Sequence, residues 1–389
     1  MNVSDKDNDK KIETVAGIKD IVYFRQSDKK FCYMSRILIV RFSAFGDVAM
    51  TVPVIYSLAV QYPQHRITVL SRPAWAPLFS RLPRNVEFMG VDLKNEYRGL
   101  VGLNALFARL RTMHFDCVAD FHNVLRTRYL CLRFRLAGIP VRSIDKGRRE
   151  KERLVNGMPK DYAPLISAFE RYRLVLEKLG LTFKLNFHSI FGGAKGDVTL
   201  LPGWLTERLL FTDGSALEST NPSLLIGIAP FAAHTGKVYP PEKMEKVIEL
   251  LRERSNVRIC LFGGKSEMEK EVFGRWESLY SQVISVAGRL KLDEELVLMS
   301  LLDGMISMDS SNMHLASLVA TPVISVWGAT HPCAGFMGWN QLEANAVQVD
   351  LSCRPCSVYG NKPCRRGDYA CLQRITPERI VDKVLALKK

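Results

Sequence analysis

Short, solidly apolar runs, each followed by apolar residues at helical spacing, recur along this chain, and that rhythm restricts it to an α/β fold built on parallel sheets. Ile37 to Val40 is apolar throughout with three β-branched residues, the mark of a strand covered on both faces. Val48, Val52 and Tyr56 follow at helical spacing, so Ser43 to Gly46 reads as a tight strand-to-helix turn. The unit repeats at Ile67 to Leu70, Val86 to Met89 and Cys117 to Asp120, as in a parallel sheet. Near Gly192 to Pro222 the period fades into Gly, Asp, Ser, Thr and Pro. It then restarts, with strands in "LLIGIAP", "VRICLFGG", "GMISM" and "PVISVWG" and helices in "PPEKMEKVIELLRER", Glu294 to Leu302 and Met313 to Val319. A chain of 389 residues, 47% of them hydrophobic, suits two domains better than one core. The expected division is a disordered or non-native extension over 1–33, a first domain over 34–205, a second over 206–375, and a capped helix over 376–389 that opens on Thr376 and Pro377.

No apolar run reaches the roughly 18 residues a membrane span needs, and residues 1–33 hold no signal-peptide stretch. A cytoplasmic location is expected, where nine cysteines remain thiols. Four of them, Cys353, Cys356, Cys364 and Cys371, cluster as C-x2-C-x7-C-x6-C. Four thiolates at such spacing can converge on one structural zinc ion, although only the first pair has a standard separation. The formal charge of +14 is concentrated: residues 109–153 hold twelve Lys and Arg against five Asp and Glu. A patch of this kind implies an anionic partner: nucleic acid, a phospholipid surface or a phosphorylated acceptor.

Ligands of open parallel sheets bind beyond the carboxyl ends of the strands, and several such ends carry polar loops. Asp309, Ser310, Ser311 and Asn312 precede a helix and leave backbone N–H groups free for phosphate, with His314 in the first turn. His234, Thr235 and Lys237 precede another helix, where a hydroxyl and a cation suit a diphosphate. Gly263, Gly264 and Glu267 end a third strand, and Glu267 can accept from a ribose hydroxyl. Ile259 stands where a P-loop needs Gly, and no strand is followed by GxGxxG, which disfavours a P-loop kinase and a dinucleotide dehydrogenase. Asp47 and the group Asp120, His122 and Asn123 occupy strand ends of the first half.

The ordered stretches "RILIVRFSAFGDVAMTVPVI", "HTGKVYPPEKM", "LFGGKSE" and "MDSSNMHLASLVATPVISVWGATHP" resemble glycosyltransferase family 9, the bacterial heptosyltransferases of lipopolysaccharide synthesis. The resemblance implies a GT-B fold, two Rossmann-like domains facing each other across a cleft, with an inverting, metal-independent transfer from an ADP-sugar. It places the general base on Asp47 and the donor-binding residues on Thr235, Lys237, Glu267, Asp309, Ser310, Ser311 and His314. The implied acceptor is a lipid A or inner-core saccharide at the inner membrane surface. Arg126, Arg128, Lys146, Arg148 and Arg149 would face its phosphates or the leaflet, near Asp120, His122 and Asn123. Two departures, Ser311 for Gly and Tyr239 for Trp, are expected to tune donor choice. Two rival readings are a catalytically silent nucleotide-sugar binder and a basic nucleic-acid-binding protein. The latter has no helix-turn-helix, zinc-finger or RRM signature.

Overall fold

The computed structural model describes residues 34–157, 162–209 and 224–388. The expectations for residues 1–33 lie outside the described residues.

Five parallel strands form the first sheet: β1 (Arg36–Val40), β2 (Arg66–Ser71), β3 (Val86–Gly90), β4 (Cys117–Asp120) and β5 (Val141–Ser143), ordered β3-β2-β1-β4-β5. Six more form the second: β6 (Leu224–Ala229), β7 (Val257–Leu261), β8 (Val283–Ser285), β9 (Gly304–Met308), β10 (Val323–Val326) and β11 (Ala346–Val347), ordered β11-β10-β9-β6-β7-β8 and again all parallel. The central strands are buried on both faces, which is why they are legible as unbroken apolar runs.

In the first half the helices are α1 (Phe45–Ala49), α2 (Val52–Gln61), α3 (Gly99–Arg111), α4 (Leu125–Leu136), α5 (Arg148–Asn156) and α6 (Ala168–Glu177). Beyond them come α7 (Gly203–Leu209), α8 (Pro241–Arg254), α9 (Glu267–Leu279), α10 (Leu292–Leu301), α11 (Ser311–Leu318), α12 (Ala370–Gln373) and α13 (Pro377–Leu385). Strand order reverses between β1 and β4 in one sheet and between β6 and β9 in the other. The loops after those four strands therefore sit at the two topological switch points, the places where such sheets open a crevice.

The chain passes from one sheet's surroundings to the other's after Phe187. Ile190 N–H donates to the Leu318 carbonyl, Gly196 N–H to Ser300 Oγ, and Arg208 to the Val283 carbonyl. Residues 190–208 thus pack on elements of the second sheet, ahead of position 205 where the sequence suggested a division. The helix expected as a separate C-terminal unit is also part of the second core: Ile380, Val381 and Val384 of α13 are buried with Met244, Ile306 and Ile324. Between the halves, Leu165 and Ala168 donate to the Cys333 and Gly335 carbonyls, and Trp339 Nε1 donates to the Phe187 carbonyl.

Candidate active site

Asp47 is the third residue of α1, which starts after the short loop 41–44 that follows β1. The Ala44 N–H reaches back to its Oδ2 at 3.1 Å, and the guanidinium of buried Arg41 meets the same oxygen at 2.5 Å. Arg41 is itself anchored by donation to the Phe121 carbonyl and lies over the Tyr172 ring. Tyr172 in turn donates its hydroxyl to the Asp47 carbonyl at 3.2 Å. The carboxylate is thus held through one oxygen, with a third of its side chain exposed.

Across from it stand the loops after β6 and β9. Lys237 Nζ lies 2.9 Å from Asp309 Oδ2, both largely buried. Ser310 is the N-cap of α11, but its hydroxyl bonds to Ser307 Oγ and does not cap the helix. The first-turn N–H groups of α11 therefore face the cleft with no side-chain cap, the geometry that receives phosphate oxygens. His314, one turn on, is buried; burial pushes its imidazole down to about 4, and its Nδ1 has no hydrogen-bond partner among the described residues.

The starts of α1 and α11 touch. A Cβ added at Gly46 would lie 2.9 Å from His314 Cδ2 and 3.3 Å from Ser311 Cα. Only a glycine lets these helices approach so closely. Ser311, which replaces a glycine of the family pattern, has helical backbone here, so its position requires no glycine conformation.

Asp47, Lys237, Gly263, Asp309, Ser310, Ser311 and His314 line one cavity of about 700 Å³ between the halves. Two expected donor residues stand elsewhere. Thr235 is exposed and off this lining, and Glu267 is exposed and pairs with Lys270 on the outside of α9. The cause is a capping box: Ser266 caps α9 and Glu269, not Glu267, turns back to its hydroxyl and N–H. Glu269 lines the cavity, as does Glu295, which burial and neighbouring Glu294 push up to about 7. The S-x-x-E spacing of Ser266 and Glu269 was a readable signal for the former; Glu295 gave none. Tyr239 does not touch the cavity: it is fully buried, its hydroxyl donating to the Ile375 carbonyl at 2.9 Å. It belongs to the second core, which corrects the expectation that it tunes donor choice.

Asn123, Arg128, Lys146, Arg148 and Arg149 line a second cavity, of about 420 Å³. Burial lowers Lys146, and Arg41 and Arg148 add to this. Arg126 is exposed on α4, outside that lining. Asp120 is fully buried, and its carboxylate accepts from the His122 and Asn123 N–H groups and the Thr127 hydroxyl. It shapes the β4–α4 turn, and both oxygens are spoken for. His122 is paired with Ser43 Oγ at 3.0 Å and pushed down to about 3, by burial first and then by Arg41 and Lys146.

The four clustered cysteines do line one small cavity, about 10 Å³, together with Arg354, Arg365 and Arg366. Among the described residues, however, no group of three or more His, Cys, Asp or Glu side chains is arranged to hold a metal ion. Burial raises the Cys356 thiol and pushes Cys371 up to about 11. The loop is instead organised by buried Arg354, whose guanidinium donates to the Gly328, Val349 and Thr330 carbonyls.

Residues 103–365 match glycosyltransferase family 9 (heptosyltransferase). The chain is 24% identical over 372 residues to lipopolysaccharide heptosyltransferase 2 of Escherichia coli K12, covering 90% of this chain and 98% of that protein. The fold is shared with a family 9 glycosyltransferase from Veillonella parvula (TM-score 0.64, 20% identity, 91% of this chain and 97% of that one). It is shared also with an E. coli heptosyltransferase crystallised with ADP-2-deoxy-2-fluoro heptose (TM-score 0.61, 19% identity, 91% and 100%). Two parallel α/β halves meeting at their switch points are the GT-B arrangement, and with the match across most of its length the chain belongs to glycosyltransferase family 9, as a glycosyltransferase of the heptosyltransferase kind.

Proposed function

We propose that this enzyme moves a heptose, with inversion, from an ADP-heptose donor to a hydroxyl of a lipopolysaccharide inner-core acceptor. The observation that carries the reading is the facing of Asp47, from the first half, and the Lys237–Asp309 pair with the uncapped start of α11, from the second, across one cavity. A volume of about 700 Å³ is in the range of small-molecule sites. The structural neighbour bound to an ADP-heptose analogue supports the choice of donor.

In this reading the donor diphosphate sits on the α11 N-terminus beside Lys237, and Glu269 meets the ribose. The acceptor hydroxyl comes from the side of the basic cavity, with Arg148, Arg149 and Lys146 on the core phosphates. A hydroxyl is a weak nucleophile. It attacks the anomeric carbon from the face opposite the departing ADP while Asp47 takes its proton, so the anomeric configuration inverts. Arg41 holds one carboxylate oxygen and leaves Oδ1 to accept. Lys237 and the helix N-terminus offset the charge that grows on the leaving diphosphate. The acceptor is lipid-borne, so the enzyme works as a peripheral protein at the cytoplasmic face of the inner membrane. The silent-binder reading is the weaker one, because Asp47, held through one oxygen by Arg41, leaves the other toward the cavity, the arrangement a base requires. Nucleic-acid binding is weaker still, because the basic residues gather in a cavity beside the base.

Asp47→Asn keeps the shape and removes the base. Turnover of ADP-heptose with inner-core acceptor is expected to fall roughly 10²- to 10⁴-fold while donor affinity, measured by calorimetry, stays near wild type. Near-normal turnover would leave Asp47 as a helix-capping residue and overturn the mechanism.

A further inference from the structure

Helix α4 is apolar on two opposite faces. Thr127, Leu130, Cys131 and Phe134 are buried against the sheet. At 3.6 residues per turn, Leu125, Leu132 and Leu136 point directly away from them, and all three are exposed, Leu125 at 85% and Leu136 at 77%. Packing of the core cannot explain that outer ridge. Along its two flanks stand Arg126 and Arg133 on one side and Arg128 and Arg135 on the other.

Helix α3 continues the surface. It lies beside α4, with Tyr129 donating to Asn104 Oδ1 at 2.6 Å and the Phe107 and Phe134 rings 5.1 Å apart. Leu100 and Val101, at its start, are exposed as well, Val101 at 83%. Neither helix contains an acidic residue. Both begin at the carboxyl edge of the first sheet, the edge on which Asp47 and the basic cavity lie.

We infer that the outer face of α3 and α4 is the surface by which this enzyme docks on a bilayer carrying anionic lipid headgroups. Leucines framed by arginines match the boundary between acyl chains and phosphates: the apolar ridge enters the interface, and the guanidiniums remain at phosphate depth. A protein partner could cover an apolar ridge of this size, but charge of one sign on both flanks of α4, with no acid on either helix, favours a uniformly anionic plane. Docking in this way sets the basic cavity against the leaflet that holds a lipid-borne acceptor. The inference therefore rests on the acceptor proposed above, and names where the membrane meets the chain.

The full chain is floated with vesicles of phosphatidylcholine, with and without phosphatidylglycerol, as wild type and as Leu125→Ser/Leu132→Ser/Leu136→Ser. Wild type should partition onto the anionic vesicles in a salt-sensitive way, and the triple variant about ten-fold less, with unchanged melting temperature and unchanged heptosyl transfer to a delipidated, water-soluble inner-core oligosaccharide. Should the triple variant melt early, Leu136→Ser alone carries the same comparison. Equal partitioning of variant and wild type overturns the inference, as does wild type that ignores phosphatidylglycerol. A wild-type dimer that the leucine changes dissociate would assign the ridge to self-association and also overturn it. Absence of transfer by wild type to the soluble oligosaccharide, with partitioning as expected, would instead overturn the proposed reaction and leave the surface standing.

Discussion

His122, His314 and His331 are all held neutral by burial, pushed down from 6.5 to about 3, about 4 and about 4. A base whose pKa is lower in the folded chain takes up its proton preferentially in the unfolded one, so each contributes stability that is present above 6.5 and is lost as pH falls through the window down to its folded value. Melting temperature is expected to fall steeply between about pH 6 and 4, and His331→Gln, away from the cavity, should flatten that slope; an unchanged slope would contradict this. Glu295 acts in the opposite sense. Its carboxyl is raised from 4.5 to about 7, so it stabilises the fold less as pH climbs between those values. Glu295→Gln should melt like wild type near pH 4 and above it near pH 8. A third test separates Glu269 from Glu267: Glu269→Gln should weaken ADP binding several-fold and Glu267→Gln should leave it unchanged, read by calorimetry. Sequence favoured Glu267 because it stands in the strand-end loop beside the glycines, where the family resemblance places the ribose acid; the side chain's direction was decided by the capping box, a local geometry that strand-end counting does not weigh.

Among elements, those with long buried runs were legible and the short ones were not. β1, β4, β6 and β9, the strands that flank both switch points, are apolar for most of their length, with Arg36 at the start of β1 and Asp120 at the end of β4, and were read within a residue or so. β5, β8 and β11 have only three, three and two residues, too few for a period to show, and all are sheet edges. The site loops were legible for the same reason as the central strands, since each begins where an apolar run stops. The meeting of α1 and α11 was not, because nothing in either segment refers to the other. It carries a prediction of its own. Gly46→Ala should favour α1 by roughly 1 kcal/mol on helix propensity alone, yet its methyl would press on His314 and the Ser311 backbone. Turnover is expected to fall about ten-fold or more without the gain in melting temperature that propensity would give; a stabilised, fully active variant would show that the contact is dispensable.

For the molecule as a whole, charge is divided by location. The donor side pairs its cation with Asp309, whereas Arg148 and Arg149 line an open basic cavity. Arg148→Glu/Arg149→Glu should therefore raise the KM for acceptor at least ten-fold and leave ADP affinity within about two-fold, and added salt should mimic it on acceptor alone. Loss of ADP binding in that variant would contradict the division. The halves are joined by the passage after Phe187, which Trp339 Nε1 ties by a hydrogen bond, and by the bonds from Leu165 and Ala168 to the Cys333 and Gly335 carbonyls. The bare backbone of Gly46 packs against α11, so the halves also touch at the cavity itself. That contact, with the His314 ring and the Ser311 backbone on the far side, sets the spacing between the Asp47 turn and the start of α11 without a side chain from α1 at the point of approach.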